Sequence, residues 1–238
     1  MAGHSKWSNI KHRKEAQDKK KGKIFTRLIR EIMVAARQGA DPESNAALRL
    51  ALSKAQQANM NKENMQRAVA RGSGQQGADT LERIYYEGYG PGGIAYYVET
   101  LTDNRNRTVA EVRHAFSKAG GTMAPEGAVA YLFNQMGVFH VKAQSEDQLL
   151  EHLIEFDLSD IQVVEDGFVV LCDVKDYMNV AQAIESIGDV EVLDHSLEWL
   201  SDPSAVALTE KQIEQNEALM ERLEQLDDTQ NVFTNKSG

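Results

Sequence analysis

Apolar residues recur at three- and four-residue spacing through the first third of the chain, which is the periodicity of helices with one buried face. The pattern predicts a first helix from Ile24 to Arg37, a second over residues 43–58, and a third from Asn61 through Arg71. Residues before about Gly22 lack this periodicity and read as an arm. Three amphipathic helices make a small bundle, and the Gly- and Gln-rich stretch at 72–77 predicts a linker after it.

The apolar period changes to two after this linker, which indicates strands. Strands are predicted at Arg83–Glu87, Ile94–Leu101 and Ala128–Phe133, with a Gly-rich hairpin loop between the first two. Thr108 and Glu111 have the spacing of a capping box, so we expect a helix to begin there.

The pattern over residues 137–198 is β-α-β-β-α-β, the split pattern of the ferredoxin-like fold, whose two ends emerge close together. A capping box at Thr209 and Gln212 then opens a last helix, and we expect it and residues 229–233 to complete the middle domain. The predicted fold class is α+β multidomain: an N-terminal three-helix bundle followed by two α+β domains, one of them ferredoxin-like and inserted in the other. The predicted domains are 1–80, 81–133 with 201–238, and 134–200.

The charge of the chain changes sign at the boundary between the helical bundle and the residues after it. Residues 1–80 carry 16 Lys and Arg against 7 Asp and Glu, a net charge of +9, whereas the remaining residues carry −19 and the whole chain −10. A basic block must overcome the field of an acidic protein to meet an anion, so the asymmetry predicts a phosphate backbone as its partner.

The predicted nucleic-acid contacts lie in the arm and on the polar side of the first helix, where fixed guanidinium groups lose little entropy on meeting phosphates. A solvated helix face is the alternative. Trp7 has two equal interpretations, stacking on an unpaired base or anchoring the arm on the bundle. The predicted binding residues are Lys6, Trp7, Lys11, Arg13, Lys14, Lys19, Lys20, Lys21, Lys23, Arg27, Arg30 and Arg37.

Several short sequence motifs resemble those of one protein family. They are MAGHSKW at the N-terminus, IKHRK and GKIFTRLIREI after it, EGYGPGG at 87–93, TDNRNRT at 102–108 and DDTQNVF at 227–233. These motifs span the whole chain and resemble the YebC/PmpR family, with Phe233 where a Tyr is expected. The resemblance implies three domains and a cytoplasmic, DNA-binding transcriptional regulator, and some family members are described as ribosome-associated translation factors.

A second, smaller anion patch is predicted at Arg105, Arg107 and Arg113, on and before a helix N-terminus, with an ordinary surface loop as the alternative. The Gly-rich loop at 87–93 lacks the Gly-Lys-Ser/Thr ending of a phosphate-binding loop and is expected to be a hairpin connection.

Neither metal nor catalytic chemistry is predicted. The six histidines lack metal-ligand spacing, and one cysteine, Cys172, cannot build a thiolate site. Glu99 and Asp103 are the only candidates for holding Mg²⁺ in a phosphodiesterase, a weak alternative of another class. We therefore expect a non-enzyme without cofactor or metal.

The third unit is too acidic for nucleic acid. Residues 134–200 hold two basic and 15 acidic side chains, and the predicted third strand lacks the basic and aromatic residues of RNA-recognition motifs. A basic protein surface is the expected partner, and a pure protein adaptor is a further alternative. Without a signal peptide or apolar span, the expected location is cytoplasmic and off the membrane. Phosphate contacts do not discriminate DNA from RNA or the ribosome, and the sequence assigns neither target genes nor oligomeric state.

Overall fold

The computed structural model describes residues 21–74 and 81–237. Three helices open the described chain: α1 (Lys21–Ala36), α2 (Ala46–Gln57) and α3 (Lys62–Gly72). Asn45 and Asn61 cap α2 and α3, because their side-chain oxygens accept hydrogen bonds from the backbone N–H groups of Leu48 and Asn64. The three predicted helices are confirmed.

The three helices share one apolar core. Its buried residues on α1 are Leu28, Ile32, Met33, Ala35 and Ala36, and they pack with Leu48, Ala51 and Ala55 of α2 and Ala68 of α3. The end of α3 lies directly on the backbone of α1, since a Cβ added at Gly72 would lie 2.3 Å from the Met33 carbonyl oxygen. The polar side of α1 therefore points away from α2 and α3.

The rest of the described chain alternates strands and helices. In chain order the elements are β1 (Glu82–Tyr89), β2 (Ala95–Thr102), α4 (Arg105–Lys118), β3 (Thr122–Ala124), β4 (Asn134–Lys142), α5 (Glu146–Leu153), β5 (Leu158–Val164), β6 (Gly167–Asp173), α6 (Tyr177–Ser186), β7 (Glu191–Leu200), α7 (Glu210–Gln225) and β8 (Thr229–Thr234).

The first sheet is antiparallel, with strand order β3-β1-β2-β8. The C-terminal strand thus returns to pair with β2, as the sequence predicts for residues 229–233. Helices α4 and α7 bury Phe116, Leu219 and Leu223 in a core shared with Tyr96 and Val98 of β2. The Thr209–Gln212 capping box of α7 is confirmed.

The Gly-rich loop joins β1 to β2, so the predicted hairpin connection is confirmed. Its 3₁₀ turn at Pro91–Gly93 places Gly92 at φ 80° and Gly93 at φ 76°, a backbone conformation that favours glycine. The buried Asn216 of α7 donates from its side-chain amide to the Pro91 carbonyl oxygen at 2.9 Å. The loop therefore fixes α7 on the sheet.

The strand predicted at Ala128–Phe133 is wrong, since the structure has a 3₁₀ turn at Ala130–Leu132. The cause is the buried carboxylate of Glu87 on β1. It accepts hydrogen bonds from the backbone N–H groups of Gly127 at 2.7 Å, Val129 at 2.6 Å and Ala130 at 2.9 Å. Backbone donors committed to a carboxylate cannot pair in a strand ladder.

The capping box predicted at Thr108 and Glu111 is also wrong. Helix α4 begins one turn earlier, at Arg105, and is capped by Asn104, whose side-chain oxygen accepts from the Arg107 N–H. Thr108 lies buried inside the helix and donates its hydroxyl to the Asp228 carboxylate at 2.7 Å. A tertiary contact therefore uses the hydroxyl that local spacing assigned to a cap.

The second sheet is antiparallel with strand order β5-β6-β4-β7 and carries α5 and α6. The fold is α+β, with three N-terminal helices followed by two antiparallel sheets; the nested ferredoxin-like arrangement stays a prediction. The described chain divides into two compact units, one of residues 21–74, 81–130 and 206–234, the other of residues 131–205 and 235–237. The helices and the first sheet thus share one unit, and the finer division into three domains stays a prediction.

Candidate nucleic-acid interface

The arginines of α1 mark the polar side of the helix, where phosphate contacts are predicted. Arg27 is partly buried and donates from Nη2 to the Glu224 carbonyl oxygen at 2.7 Å. Burial lowers the pKa of Arg27 from its ordinary value, and the nearby Glu224 carboxylate opposes that shift. The structure thus places this guanidinium against the C-terminal end of α7.

Arg30 is bound more extensively, one turn further along α1. Its Nη1 donates to the Leu101 carbonyl oxygen at 3.3 Å, to the Asp227 carbonyl oxygen, and to Asp228 Oδ1 at 3.0 Å. The Arg30 side chain is 20% exposed, and that of Asp228 is 1% exposed. This guanidinium therefore ties α1 to the segment that leads into β8.

Arg37 lies exposed just past the end of α1, and its Nη1 donates to the Leu81 carbonyl oxygen. Arg27, Arg30 and Arg37 thus each donate to a backbone carbonyl of their own unit. Their role in phosphate binding stays a prediction.

Asp228 is the centre of this contact. Its Oδ2 accepts hydrogen bonds from Thr102 Oγ1 at 3.0 Å, Thr108 Oγ1 at 2.7 Å and Arg107 Nη2 at 2.7 Å, and Oδ1 accepts from Arg30. Burial on its own raises the pKa of Asp228, but the hydrogen bonds from Thr108, Arg107 and Thr102 and the charge of Arg30 outweigh it and lower the pKa below its ordinary value. The carboxylate is therefore charged at neutral pH.

Three of the sequence motifs described above meet at this carboxylate. The motif on α1 contributes Arg30, the motif at 102–108 contributes Thr102, Arg107 and Thr108, and the motif at 227–233 contributes Asp228 itself. Asp228 is not among the site residues predicted from the sequence. The available signal was an Asp-Asp pair beside a predicted strand, which by itself does not point to a partner about 200 residues earlier.

Two arginines of the predicted second anion patch also make ion pairs within the protein. Arg105 pairs with Glu82 at 3.4 Å, and Arg107 pairs with Asp103 at 2.9 Å in addition to Asp228. Arg113 lies exposed on α4. The structure therefore places the three residues on one helix but gives Arg105 and Arg107 carboxylate partners, and anion binding here stays a prediction.

The other basic residues of the three-helix region are distributed over its surface. Arg49, Lys62 and Arg71 are exposed, and Arg49 donates to the Pro42 and Glu43 carbonyl oxygens at 3.1 and 3.3 Å. Lys54 pairs with Glu31 at 3.3 Å, and Arg67 pairs with Glu63. Lys21 and Lys23 belong to the first turn of α1. The remaining predicted contacts, Lys6, Trp7, Lys11, Arg13, Lys14, Lys19 and Lys20, lie outside the described residues.

The carboxylates considered for Mg²⁺ have protein partners. Glu99 pairs with Arg83 at 3.2 Å and accepts from the Asn231 side-chain amide at 2.8 Å, and Asp103 pairs with Arg107. Across residues 21–74 and 81–237, no group of three or more His, Cys, Asp or Glu is placed to hold a metal ion. No helix in the same ranges has both the length and the apolar character needed to cross a bilayer.

Comparison with known proteins gives full-length matches. The family model described as "TACO1/YebC protein N-terminal domain" matches residues 5–75, and the model described as "TACO1/YebC second and third domain" matches residues 81–236. A protein of Pseudomonas syringae pv. syringae is 52% identical over 238 residues, covering 99% of this chain and 95% of its own length. One of Burkholderia multivorans is 49% identical, covering 99% and 98%. Both are named "probable transcriptional regulatory protein".

A solved structure agrees with the fold. The crystal structure of a conserved hypothetical protein from Aquifex aeolicus superposes with a TM-score of 0.82 at 39% sequence identity, covering 92% of this chain and 90% of its own.

Proposed function

Because the chain belongs to the TACO1/YebC family, we propose that it is a non-enzymatic, nucleic-acid-binding regulator of gene expression that acts on DNA in the cytoplasm. The observation that carries the proposal is the charge of +9 on residues 1–80 in a chain whose other residues carry −19. The relatives' name supports a regulatory role. The basic N-terminal region is the part that attracts phosphates.

The contacts of α1 suggest two roles for its basic residues. Arg27 and Arg30 donate to carbonyl groups and a carboxylate of their own unit, so we assign them to holding α1 in place. Phosphate binding then falls to the lysines of residues 1–23, which include the Lys-rich run at 19–21, and to the exposed Lys62. In this scheme Arg27 and Arg30 act on nucleic acid only through the position of α1.

The salt dependence of DNA binding tests the Lys-rich run. Each phosphate contact on duplex DNA contributes about 0.9 to the slope of log affinity against log salt, so changing Lys19, Lys20 and Lys21 to Gln should lower the slope by up to about 2.7. The matched control changes Lys142, Lys175 and Lys211 to Gln, three exposed lysines outside the basic region. Equal slopes for the two triple variants, measured by fluorescence anisotropy, would rule out the run as a phosphate contact.

The choice of target needs a second titration. Full-length protein titrated against duplex DNA and against ribosomes at one salt concentration separates DNA from ribosomal RNA, because phosphate attraction alone acts on both. We expect saturable, sequence-dependent binding to DNA. Binding to ribosomes with only weak, sequence-independent binding to DNA would replace the transcriptional function with a translational one.

We expect no chemistry from the residues that were candidates for it. Burial, followed by the charges of Asp176 and Asp173, raises the pKa of Cys172 to about 12, so this side chain stays a thiol at neutral pH. Cys172→Ser, Glu99→Gln and Asp103→Asn should leave DNA affinity unchanged once the folded fraction is accounted for. Mg²⁺-dependent cleavage of DNA or RNA that disappears in Asp103→Asn would contradict the non-enzymatic proposal.

A further inference from the structure

The second sheet has two different faces. Helix α6 lies on one of them, where the Phe139 ring on β4 contacts the Tyr177 ring with centroids 5.1 Å apart. A Cβ added at Gly137, on the same face as Phe139, would meet Cys172 and Tyr177. Helix α5 packs against α6 and β5. Residues that alternate with Gly137 and Phe139 along β4 therefore belong to the opposite face.

That opposite face is apolar at its centre. Its buried cluster consists of Val138, Val169, Leu171 and Leu200, with Met136 and Val164 packed against it. Within the described chain all six members come from strands or strand ends, and neither α5 nor α6 contributes. A cluster of this kind requires cover from a further segment, because residues of a sheet do not bury their own outer surface.

Carboxylates surround the apolar cluster on the same face. Residues opposite each other on neighbouring strands share a face, and the register pairs Asp160 with Leu171, Asp194 with His140, and Glu198 with Met136. Glu198 is 5% exposed and accepts a hydrogen bond from the Ser196 hydroxyl at 2.6 Å. This acidic sheet face therefore suits a segment with apolar side chains between positive charges.

The N-terminal arm, residues 1–20, has that composition. Met1, Trp7 and Ile10 are its large apolar residues, Lys6 and Lys11 flank Trp7 and Ile10, and the arm carries six Lys and Arg against two acidic residues. Ten extended residues span about 33 Å. Four strands about 4.8 Å apart are narrower than this, so the arm is long enough to cross the sheet.

We propose that the N-terminal arm docks on the acidic sheet face, with Trp7 over the apolar cluster and Lys6 and Lys11 beside Asp160, Asp194 and Glu198. The docking itself does not depend on the proposed function. Its consequence for nucleic acid does: Lys6 and Lys11 are among the residues predicted to contact phosphates, so the acidic face competes with nucleic acid for them at the high effective concentration of a tethered site. Only a nucleic acid that displaces the arm then binds with full affinity.

Accessibility of Trp7 tests the docking without nucleic acid. The chain has two tryptophans, so Trp199→Phe leaves Trp7 as the only one, and acrylamide quenching of its fluorescence reports its exposure. Changing Asp160 and Asp194 to Asn and Glu198 to Gln in that background should weaken docking by about tenfold, because each lost charge removes part of the attraction for the arm. The quenching constant should rise toward that of the urea-unfolded chain, and DNA affinity should rise with it.

The matched control removes the same charge elsewhere in the acidic unit. Asp147→Asn, Glu151→Gln and Glu155→Gln lie in or just after α5, exposed and away from the acidic sheet face, and should leave Trp7 protected. Should the sheet variant fail to fold, Lys6→Gln with Lys11→Gln weakens the same contact from the arm and should release Trp7.

Three results would overturn the proposal: a Trp7 that is fully quenchable in the parent protein, equal release by both charge variants, or protection that increases with protein concentration. The last result would mean that a second copy of the chain supplies the cover. A released Trp7 with unchanged DNA affinity would leave the docking in place and count against the phosphate role of the arm.

Discussion

Replacing Asp228 by Ala is expected to lower the free energy of unfolding by about 3–5 kcal/mol, because removing one partner of a buried ion pair leaves the others uncompensated. The carboxylate is 1% exposed and serves Arg30, Arg107, Thr102 and Thr108 together. Urea unfolding measures the loss. Deuterium exchange should increase through α1 in the same variant, since α1 loses its contact with the carboxylate.

The matched control is Asp103→Ala, which removes the same charge from the same Arg107. Asp103 is 53% exposed, so its pair with Arg107 should contribute less than about 1 kcal/mol. Similar losses for the two variants would show that the Asp228 contact does not hold α1.

The contribution of Asp228 to the free energy of unfolding depends on pH with a definite sign. The folded-state pKa of Asp228 lies below its ordinary value of 3.8, so the contact stabilises the protein above that value and is lost as pH falls through the folded-state pKa. The difference in unfolding free energy between the wild type and Asp228→Asn should therefore be constant near neutral pH and shrink below about pH 4.

The elements that could be predicted from the sequence are those whose signals are local. Asn61 and Thr209 each cap the helix predicted to begin there, because a cap needs only a side-chain oxygen and an N–H three residues on. The errors at Thr108 and at Ala128–Phe133 share another cause. In both, a buried carboxylate distant in sequence, Asp228 or Glu87, takes the polar groups that local rules assigned to a cap or a strand.

The candidate site was harder to predict for the same reason. Arg27, Arg30 and Arg37 recur at helical spacing opposite an apolar face, which fits an exposed phosphate-binding stripe as well as it fits internal contacts. The partners of Arg27 and Arg30 lie 197 and 198 residues away in the chain, at Glu224 and Asp228. Periodicity shows which side of a helix is polar, but it does not show which residues that side contacts.

Glu87→Ala should also be strongly destabilising, by about 3 kcal/mol or more, because up to three backbone N–H groups lose their acceptor. The carboxylate is 3% exposed and accepts hydrogen bonds from backbone N–H groups of residues 127–130. Among the described residues, no other carboxylate accepts from these N–H groups. Deuterium exchange of a peptide covering residues 125–133 should accelerate most. Glu126→Ala, an exposed acid in the same segment, should leave stability within about 0.5 kcal/mol.

Glu87→Gln distinguishes the acceptor from its charge. The amide keeps one acceptor oxygen but presents an NH₂ group to one set of donors, so its loss of stability should fall between those of the wild type and Glu87→Ala. The DNA-binding salt slope should stay unchanged in all folded Glu87 variants, because Glu87 organises the first sheet and lies outside the basic region. A stable Glu87→Ala protein with unchanged exchange at 125–133 would mean that the turn forms without this carboxylate.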